Sequence, residues 1–316
     1  MRLSAGMMVL ASLAAGASGH DEGDGRFATM EDDAKRAAVN AASVAKATAE
    51  EDQWEKTFPA TFSIDYTLVS DYIWRGINLS EYDGERGQRL NHQLGVGVSH
   101  DAGDLGEFSG SIWLEWFEGQ QAMDPASGGK LQEVDYTLSW GYDLSKLNKK
   151  IPLNVEVGLI GYHFPQAAGG GQFTWEYYVG VEVDDSKLFG TDAAVLTPTV
   201  TYYQDCNDFP GSWLEFGISH EFALAACGMA DFPVLKNITV TPSFTLGADL
   251  GYMSDSSRVA HVQYGLDVTY DLSRGLKIPE QYGSFSINGF VNFSDAVWDE
   301  GIDDEFWGGV TLGWEW

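Results

Sequence analysis

The chain has 316 residues, a formal net charge of -29 and a sequence pI of about 4.2. A protein this acidic repels nucleic-acid phosphates, so DNA and RNA are excluded as partners. Charged residues make up 21% and aromatic residues 13% of the sequence, which is typical of a folded protein rather than a disordered one. After the N-terminus there is no run of roughly 18 apolar residues, which excludes a helical membrane span.

The N-terminus has the pattern of a secretory signal. Arg2 precedes an apolar run from Met7 to Ala15, and small residues then follow as far as Gly19. Small residues at these positions allow cleavage after Ala17 or Gly19. We therefore expect residues 1–19 to be a signal peptide. The cleavage region contains no cysteine, which argues against a lipoprotein anchor.

Residues 28–56 are rich in alanine and contain neither glycine nor proline. A thin apolar stripe at helical spacing predicts a helix that ends near Thr57 and Pro59. Three uses are open for it: a solvated periplasmic lead, a plug inside a pore, or a weak coiled coil. We interpret residues 20–58 as a periplasmic helical lead, because the stripe has few large apolar residues.

From residue 59 onward, apolar and polar residues alternate with a period of two, which is typical of β-strands with two different faces. Most of the alternating segments are longer than the ~5–6 residues of soluble strands and match the ~9–11 of tilted membrane strands. The pattern predicts about twelve strands, an even number. They cover Thr61–Arg75, Leu90–Ser99, Glu107–Glu118, Glu133–Asp143, Leu153–Phe164, Phe173–Asp184, Leu196–Asp205, Ser212–Leu224, Asn237–Tyr252, Val259–Leu272, Gly283–Phe293 and Trp307–Trp316.

The last predicted strand carries its apolar residues on one face. Val310, Leu312, Trp314 and Trp316 share one parity, whereas glycine, threonine and glutamate occupy the other. An outer-membrane barrel has a place for such residues, because lipid-facing positions alternate with lumen-facing ones and aromatic rings line the interface. The strand also resembles the signal read by the bacterial barrel-assembly machinery, so that machinery and outer-membrane lipid are the expected partners.

The opposite parity gives the candidate pore-lining residues. It is rich in acids and glycines, with two arginines near the outer rim. Rings of acidic side chains favour cations over anions in a pore, whereas solvated acids alone would give no selectivity. The candidate pore-lining residues are Asp65, Asp71, Arg75, Arg89, Glu115, Asp135, Glu156, Glu176, Glu182, Glu215, Asp249 and Asp267.

Motifs for enzymatic chemistry are missing from the sequence. Outer-membrane lipases with twelve strands use Ser, His and Asn, and His220 and His261 do have serines nearby. However, the sequence contains neither a Gly-x-Ser-x-Gly elbow nor a His-Glu-x-x-His motif. The acidic run from Glu81 to Glu85 lacks the spacing of a calcium loop. No enzymatic activity, metal or cofactor is expected.

The two cysteines, Cys206 and Cys227, fall outside any metal-ligand spacing. They flank opposite ends of one predicted strand, which holds their Cα atoms much farther apart than the ~7 Å that a disulfide allows. We therefore expect no bond between them.

The stretch from Leu68 to Glu81 carries a family resemblance. Ser70, Asp71, Tyr72, Trp74, Arg75, Gly76 and Ile77 match the pattern Ser-Asp-Tyr, a variable residue, an aromatic, then Arg-Gly and a β-branched residue. The pattern resembles the first strand and loop of an uncharacterised family of Gram-negative outer-membrane channels. The family's proline in the second strand is missing from Arg89–Gln93 here. The resemblance implies a channel of unknown cargo. Asp71 and Arg75 share the inward parity four residues apart, so we also expect a salt bridge between them at the pore mouth.

These observations predict an all-β fold, a single-chain antiparallel transmembrane barrel of about twelve strands over residues 59–316, with a short helix before it. The expected location is the outer membrane of a Gram-negative bacterium. The expected function is passive, porin-like diffusion of small hydrophilic solutes, with a preference for cations. The alternative is a non-conducting barrel that acts as an anchor or a binding surface.

Overall fold

The computed structural model describes residues 59–80, 90–117, 131–167, 171–207, 211–297 and 302–316. The described residues from Ala60 to Trp316 belong to one compact unit. The predicted signal peptide and helical lead lie outside the described residues, so their boundaries remain expectations.

The described chain is dominated by antiparallel strands. Twelve of them pair with their neighbours into a closed barrel, in which the first strand meets the last one through Phe62 and Trp316. The predicted fold class is therefore confirmed. The strands are β1 (Thr61–Val69), β2 (Ile73–Trp74), β3 (Ile77–Asn78), β4 (Asn91–Asp101), β5 (Glu107–Phe117), β6 (Leu131–Asp143), β7 (Leu153–Phe164), β8 (Gln172–Val183), β9 (Thr199–Asp205), β10 (Ser212–Ser219), β11 (Phe222–Ala223), β12 (Ile238–Leu250), β13 (Ser257–Asp271), β14 (Ser284–Ala296) and β15 (Glu305–Glu315).

Two short strands, β2 and β3, are not part of the barrel wall, whereas a third, β11, belongs to its sheet. β2 pairs with β3 in a separate two-stranded sheet, and β11 adds two residues beside β12. The described helices are single turns, and none is long and apolar enough to cross a membrane. They are α1 (Ser186–Phe189), α2 (Leu272–Leu276), the 3-10 turns Gly103–Leu105, Leu144–Lys146, Leu235–Asn237 and Glu280–Tyr282, and the π-helical turn Ala225–Met229.

The barrel has two distinct ends. We call the end at which β1 begins and β15 finishes the termini end. The opposite end, at which β1 finishes, is called the hairpin end. At the termini end, the main-chain N–H of Phe62 donates to the carbonyl of Trp316 at 2.8 Å, and the N–H of Trp316 donates back at 2.9 Å. At the hairpin end, the N–H of Ser70 donates to the carbonyl of Gly308 at 2.9 Å.

The outward parity of the wall strands forms an apolar belt. Its residues are exposed although they are apolar, for example Leu138 at 67% and Leu312 at 52%. At the termini end, the indole N–H groups of Trp140, Trp314 and Trp316 donate to turn carbonyls at 2.7, 2.8 and 3.1 Å. An even-numbered closed barrel with an apolar belt and interfacial aromatics is the architecture of the Gram-negative outer membrane. The predicted location is confirmed.

Two predicted strands end five or more residues before the predicted position. The first strand was expected to reach Arg75 but stops at Val69, because the following residues turn into the lumen instead of continuing the wall. The eighth was expected to reach Leu224, but β10 stops at Ser219, and only Phe222 and Ala223 pair again with β12. Alternation alone did not reveal either break, because both segments keep the two-residue period.

Candidate functional site

A hairpin formed by residues 70–80 occupies the lumen at the hairpin end, and we call it the lumen hairpin. Its two strands, β2 and β3, are joined by Arg75 and Gly76 alone. Both residues have a positive φ, of 50° and 81°. Two-residue loops with positive φ at both positions are type I′ turns, whose twist matches that of the flanking strands. Glycine adopts this conformation freely, whereas arginine does so at a cost that its surroundings must offset.

The lumen hairpin packs against the inner wall through its apolar side chains. Tyr72, Trp74, Ile77 and Leu79 are all buried. They form one hydrophobic cluster with wall and loop residues, namely Ile160, Tyr162, Phe164, Tyr178, Trp213, Tyr252, Ala260 and Ile302. The part of the lumen that contains this cluster, called here the hairpin half, is therefore filled with side chains.

Arg75, at the tip of the hairpin, makes the strongest polar contact with the wall. Its guanidinium donates to both carboxylate oxygens of Glu176 on β8, at 2.9 and 3.1 Å. The hydroxyl of Tyr162 donates to the same carboxylate at 3.0 Å. Arg75 and Glu176 are 7% and 0% exposed, so the pair is shielded from water. Bidentate arginine–carboxylate pairs are both strong and geometrically specific.

Aromatic rings surround the same guanidinium. Its Cζ lies 4.6 Å from the ring centroids of Trp74 and Tyr252, 4.9 Å from that of Tyr203 and 5.3 Å from that of Trp213. A cation near aromatic faces is stabilised by their quadrupoles. Burial alone would lower the pKa of Arg75, but the negative charge of Glu176, the neighbouring Tyr252 and Tyr162 and the hydrogen bonds to Glu176 together raise it, so Arg75 stays charged.

The base of the lumen hairpin is fastened by hydrogen bonds. The N–H of Leu79 donates to the carbonyl of Tyr72 at 2.8 Å, and the N–H of Tyr72 donates to Ser80 Oγ at 2.6 Å. On the other side of the lumen, the side chain of Asn78 donates to Glu305 on β15 at 3.3 Å. The hairpin thus touches β8 through Arg75 and β15 through Asn78, so it crosses the lumen.

A group of acidic side chains lies beside the hairpin base. Glu115 on β5 faces Glu133 on β6, and Asp135 follows two residues later on the same face. The hydroxyl of Tyr72 donates to Glu133 Oε2 at 3.1 Å. Burial, together with the charges of Glu133, Asp135 and Glu115, raises the pKa of Tyr72, which keeps the phenol protonated and able to donate.

The lumen between the hairpin half and the termini end has a different lining, and we call it the open half. Asp65 is exposed, and Glu156, Glu182 and Asp267 are partly exposed. Their neighbours across the strands are small or polar, with Tyr178 and Phe290 at the boundary with the hairpin half. The lining includes Ser63, Thr67, Gly95, Gly97, Ser111, Ser139, Gly141, Gly158, Gly180, Thr199, Thr201, Gly217, Ser243, Gly265, Thr269, Asn288, Thr311 and Gly313.

The strand pairing assigns the predicted pore-lining acids to two groups. Asp65, Glu156, Glu182 and Asp267 face the open half. Glu115, Asp135, Glu176 and Asp249 are at most 2% exposed in the hairpin half. Glu215 accepts a hydrogen bond from Trp213 Nε1 at 3.0 Å, at the border between the halves. Arg89 lies outside the described residues.

The predicted salt bridge between Asp71 and Arg75 is wrong. Arg75 pairs with Glu176, and Asp71 instead accepts a hydrogen bond from Asn78 Nδ2 at 3.5 Å. The prediction assumed a continuous strand, in which the two side chains share one face. The type I′ turn directs Arg75 across the lumen instead. Sequence reasoning also missed Glu133 and the inward aromatic residues, such as Trp213, although their inward parity was visible.

Several other potentially reactive side chains belong to the described residues. Within the described residues, no group of three or more His, Cys, Asp and Glu side chains could hold a metal ion. Cys206 and Cys227 are both free and exposed. His261 Nδ1 lies 3.1 Å from Ser294 Oγ, but the two residues are 2% and 0% exposed, so a substrate cannot reach this pair.

Residues 53–286 match a family described as "Bacterial protein of unknown function (Gcw_chp)". The match covers most of the chain and includes the lumen hairpin, so the chain belongs to this family. No curated protein matches the sequence.

Several solved barrels are distantly similar in structure. The KdgM porin has a TM-score of 0.42 and 14% identity over 80% of this chain and 98% of that one. An outer-membrane channel from Pseudomonas putida F1 has a TM-score of 0.45 and 9% identity over 83% and 97%. LpxR from Salmonella typhimurium has a TM-score of 0.43 and 10% identity over 80% and 99%. These likenesses are distant, and the barrel is established by the strand pairing of the chain itself.

Proposed function

We propose that this family member is a porin-like channel for small hydrophilic solutes, and that the lumen hairpin is its constriction. The lining of the open half is the observation that supports conduction. A barrel that serves only as an anchor fills its interior with side chains, whereas glycine, serine and threonine leave room for water. The open half is thus a wet vestibule that begins at the termini end and stops at the hairpin.

Passage through the hairpin half requires the lumen hairpin to move. Its contacts reach β6 through Tyr72, β8 through Arg75 and β15 through Asn78, so the hairpin obstructs the lumen that the described residues enclose. The hairpin is anchored at both ends and is only eleven residues long, from Ser70 to Ser80. A short element held by one ion pair and several rings suits a gate that opens as a unit.

The acids of the open half support a preference for cations. Asp65, Glu156, Glu182 and Asp267 face water in a lumen in which no described basic side chain opposes them at the same level. Acidic linings attract cations and repel anions. The channel is not an enzyme in this proposal, and its C-terminal strand is the segment that the barrel-assembly machinery recognises.

A second candidate is a permanently closed barrel, and the dense packing of the hairpin half favours it. Planar-bilayer recordings separate the two functions. We compare the full chain with a variant in which residues 71–79 are replaced by a glycine-serine linker of equal length. The channel proposal expects rare or small current steps from the full chain and steady, larger steps from the variant.

The control is a second linker variant that replaces the exposed turn residues 103–105, which lie outside the lumen. It is expected to conduct like the full chain. If the hairpin variant folds, as judged by its heat-modifiable mobility in gels, and still passes no current, the channel proposal fails and the closed barrel remains.

A further inference from the structure

We propose that Glu133 and Asp135, two inward-facing acids of β6, hold one proton between them, and that this proton keeps the base of the lumen hairpin on the wall. We call the two residues the acid pair. They lie two positions apart on one strand, so their side chains share a face, and each is 1% exposed. Their carboxyl groups lie within hydrogen-bonding reach of each other. The acid pair is therefore a buried contact between two carboxyl groups.

The acid pair lacks the donors that two buried carboxylates would need. Tyr72 donates to Oε2 of Glu133, but Oε1 of Glu133 has no donor in the described part of the chain. Neither carboxyl oxygen of Asp135 has one there either, and the hydroxyl of Thr137, the next inward residue, is not bonded to them. An ionised carboxylate only accepts hydrogen bonds, whereas a protonated carboxyl group also donates one. One proton between the two groups therefore gives each of them a partner.

The charged groups around the acid pair favour retention of this proton. Glu115 on β5 acts on Glu133, and Glu176 on β8 acts on Asp135, and both are acids. Arg75 gives both of its terminal nitrogens to Glu176. Strand pairing places Tyr162 of β7 opposite Asp135, but the Tyr162 hydroxyl also donates to Glu176. Like charges next to a carboxyl group favour its neutral form.

The acid pair is connected to the base of the lumen hairpin. Tyr72 of the hairpin donates to Glu133 at 3.1 Å. Beside it, the side-chain amide of Asn91 lies 2.7 Å from Ser80 Oγ and 2.9 Å from Glu115 Oε1. Loss of the proton would leave adjacent like charges under this base, shielded from water, which is strongly unfavourable. Release of the hairpin base would let water reach the acids and relieve that repulsion.

The proton gives the lumen hairpin a defined response to pH. The closed hairpin binds one proton that the open hairpin releases, so opening becomes more favourable as the pH rises. For one proton, the equilibrium between the closed and open hairpin changes by about tenfold per pH unit. Arg75 keeps its charge, so its ion pair with Glu176 does not account for such a response. Neither the site nor the response depends on whether the barrel conducts.

Infrared spectroscopy of the full chain in detergent tests for the proton directly. At neutral pH, the parent protein is expected to show the carbonyl band of a protonated carboxyl group that exchanges slowly in D₂O. Glu133→Gln and Asp135→Asn are each expected to reduce this band, because the new amide supplies the missing donor and the remaining acid ionises. Asp65→Asn, which removes an acid of the open half, leaves the band unchanged. A parent without the band, or a band that neither amide variant reduces, overturns the proposal.

Trypsin cleavage after Arg75 tests the coupling to the lumen hairpin. Cleavage rates are measured at several alkaline pH values and divided by the rate of trypsin on a small arginine ester. The parent and Asp65→Asn are expected to be cut about tenfold faster for each pH unit, the slope for one proton. Glu133→Gln and Asp135→Asn, if folded by heat-modifiable mobility in gels, are expected to be cut slowly at every pH. A flat profile in the parent, or the parent's slope in both amide variants, means that the proton does not hold the hairpin.

Discussion

The two halves of the lumen are built from the same twelve strands, yet their inner surfaces differ in kind. The hairpin half buries aromatic rings, the Arg75–Glu176 pair and several other acids that are at most 2% exposed. The open half carries glycine, serine and threonine, with acids that remain in contact with water. The lumen hairpin contributes to this difference, because Tyr72 contacts the buried Glu133 and Arg75 contacts the buried Glu176.

The largest change in the position of the lumen hairpin is expected when Glu176, the wall residue of the ion pair with Arg75, is removed. Glu176→Ala leaves the charge of Arg75 buried without a partner, and such losses cost about 3–5 kcal/mol. We expect the lumen hairpin to detach from the inner wall. Trypsin will then cut after Arg75 in folded barrels, and bilayer currents will become larger and steadier. Gel analysis of the two fragments reads the cut directly.

The matched control for this experiment is Glu182→Ala. Glu182 is an inward glutamate of the same strand, but it lies in the open half and accepts a hydrogen bond from Asn154 at 3.0 Å. Its loss is expected to leave Arg75 protected. Equal resistance of the Glu176 and Glu182 variants to trypsin would mean that the ion pair does not hold the hairpin.

A smaller effect is expected from Arg75→Lys, which keeps the charge but loses the planar fork. Lysine offers one point charge, whereas the guanidinium makes two parallel hydrogen bonds and lies near four aromatic rings. We therefore expect the free energy that holds the lumen hairpin in place to fall by about 1–3 kcal/mol. The variant should be cut by trypsin more slowly than Glu176→Ala and faster than the parent. Because lysine is also a trypsin site, cleavage rates of all three proteins can be compared at the same position.

Backbone strain at the tip gives the next prediction. Gly76 has a φ of 81°, and a Cβ there would lie 3.0 Å from His261 Cγ and 3.1 Å from Ile302. Gly76→Ala should therefore destabilise the folded conformation of the lumen hairpin by about 1 kcal/mol or more. Gly141→Ala is the control, because nothing lies within 4 Å of a Cβ at that position. If protease protection of Arg75 is the same in both alanine variants, the turn carries no strain.

The sequence predicted the wall well and the lumen poorly, for a physical reason. A wall strand must alternate lipid-facing and inward residues over its full length. The alternation within one strand is therefore enough to predict that Leu312 and Trp314 face lipid. The lumen hairpin alternates equally well, so alternation alone does not distinguish it from the end of β1. The Arg-Gly pair at positions 75 and 76 was the available signal, because a two-residue turn with glycine predicts a hairpin. The pairing of Arg75 with Glu176 joins residues 101 positions apart and depends on closure of the barrel, which no short pattern encodes.

The smallest effect is expected in the open half, where acids can be removed without loosening anything. Asp65→Asn with Asp267→Asn removes two negative charges from a hydrated wall, where each charge is screened and contributes little to stability. The variant should shift the reversal potential in a salt gradient towards zero while trypsin still spares Arg75. Asp104→Asn, in an exposed turn outside the lumen, serves as the control and should change neither reading. If the reversal potential were unchanged in the double variant, Asp65 and Asp267 would not cause the cation preference, and any such preference would come from the hairpin half. If trypsin cut after Arg75 in the double variant, the two halves would be mechanically coupled. The boundary at Tyr178 and Phe290 would then not separate the obstruction of the lumen from its ion selectivity.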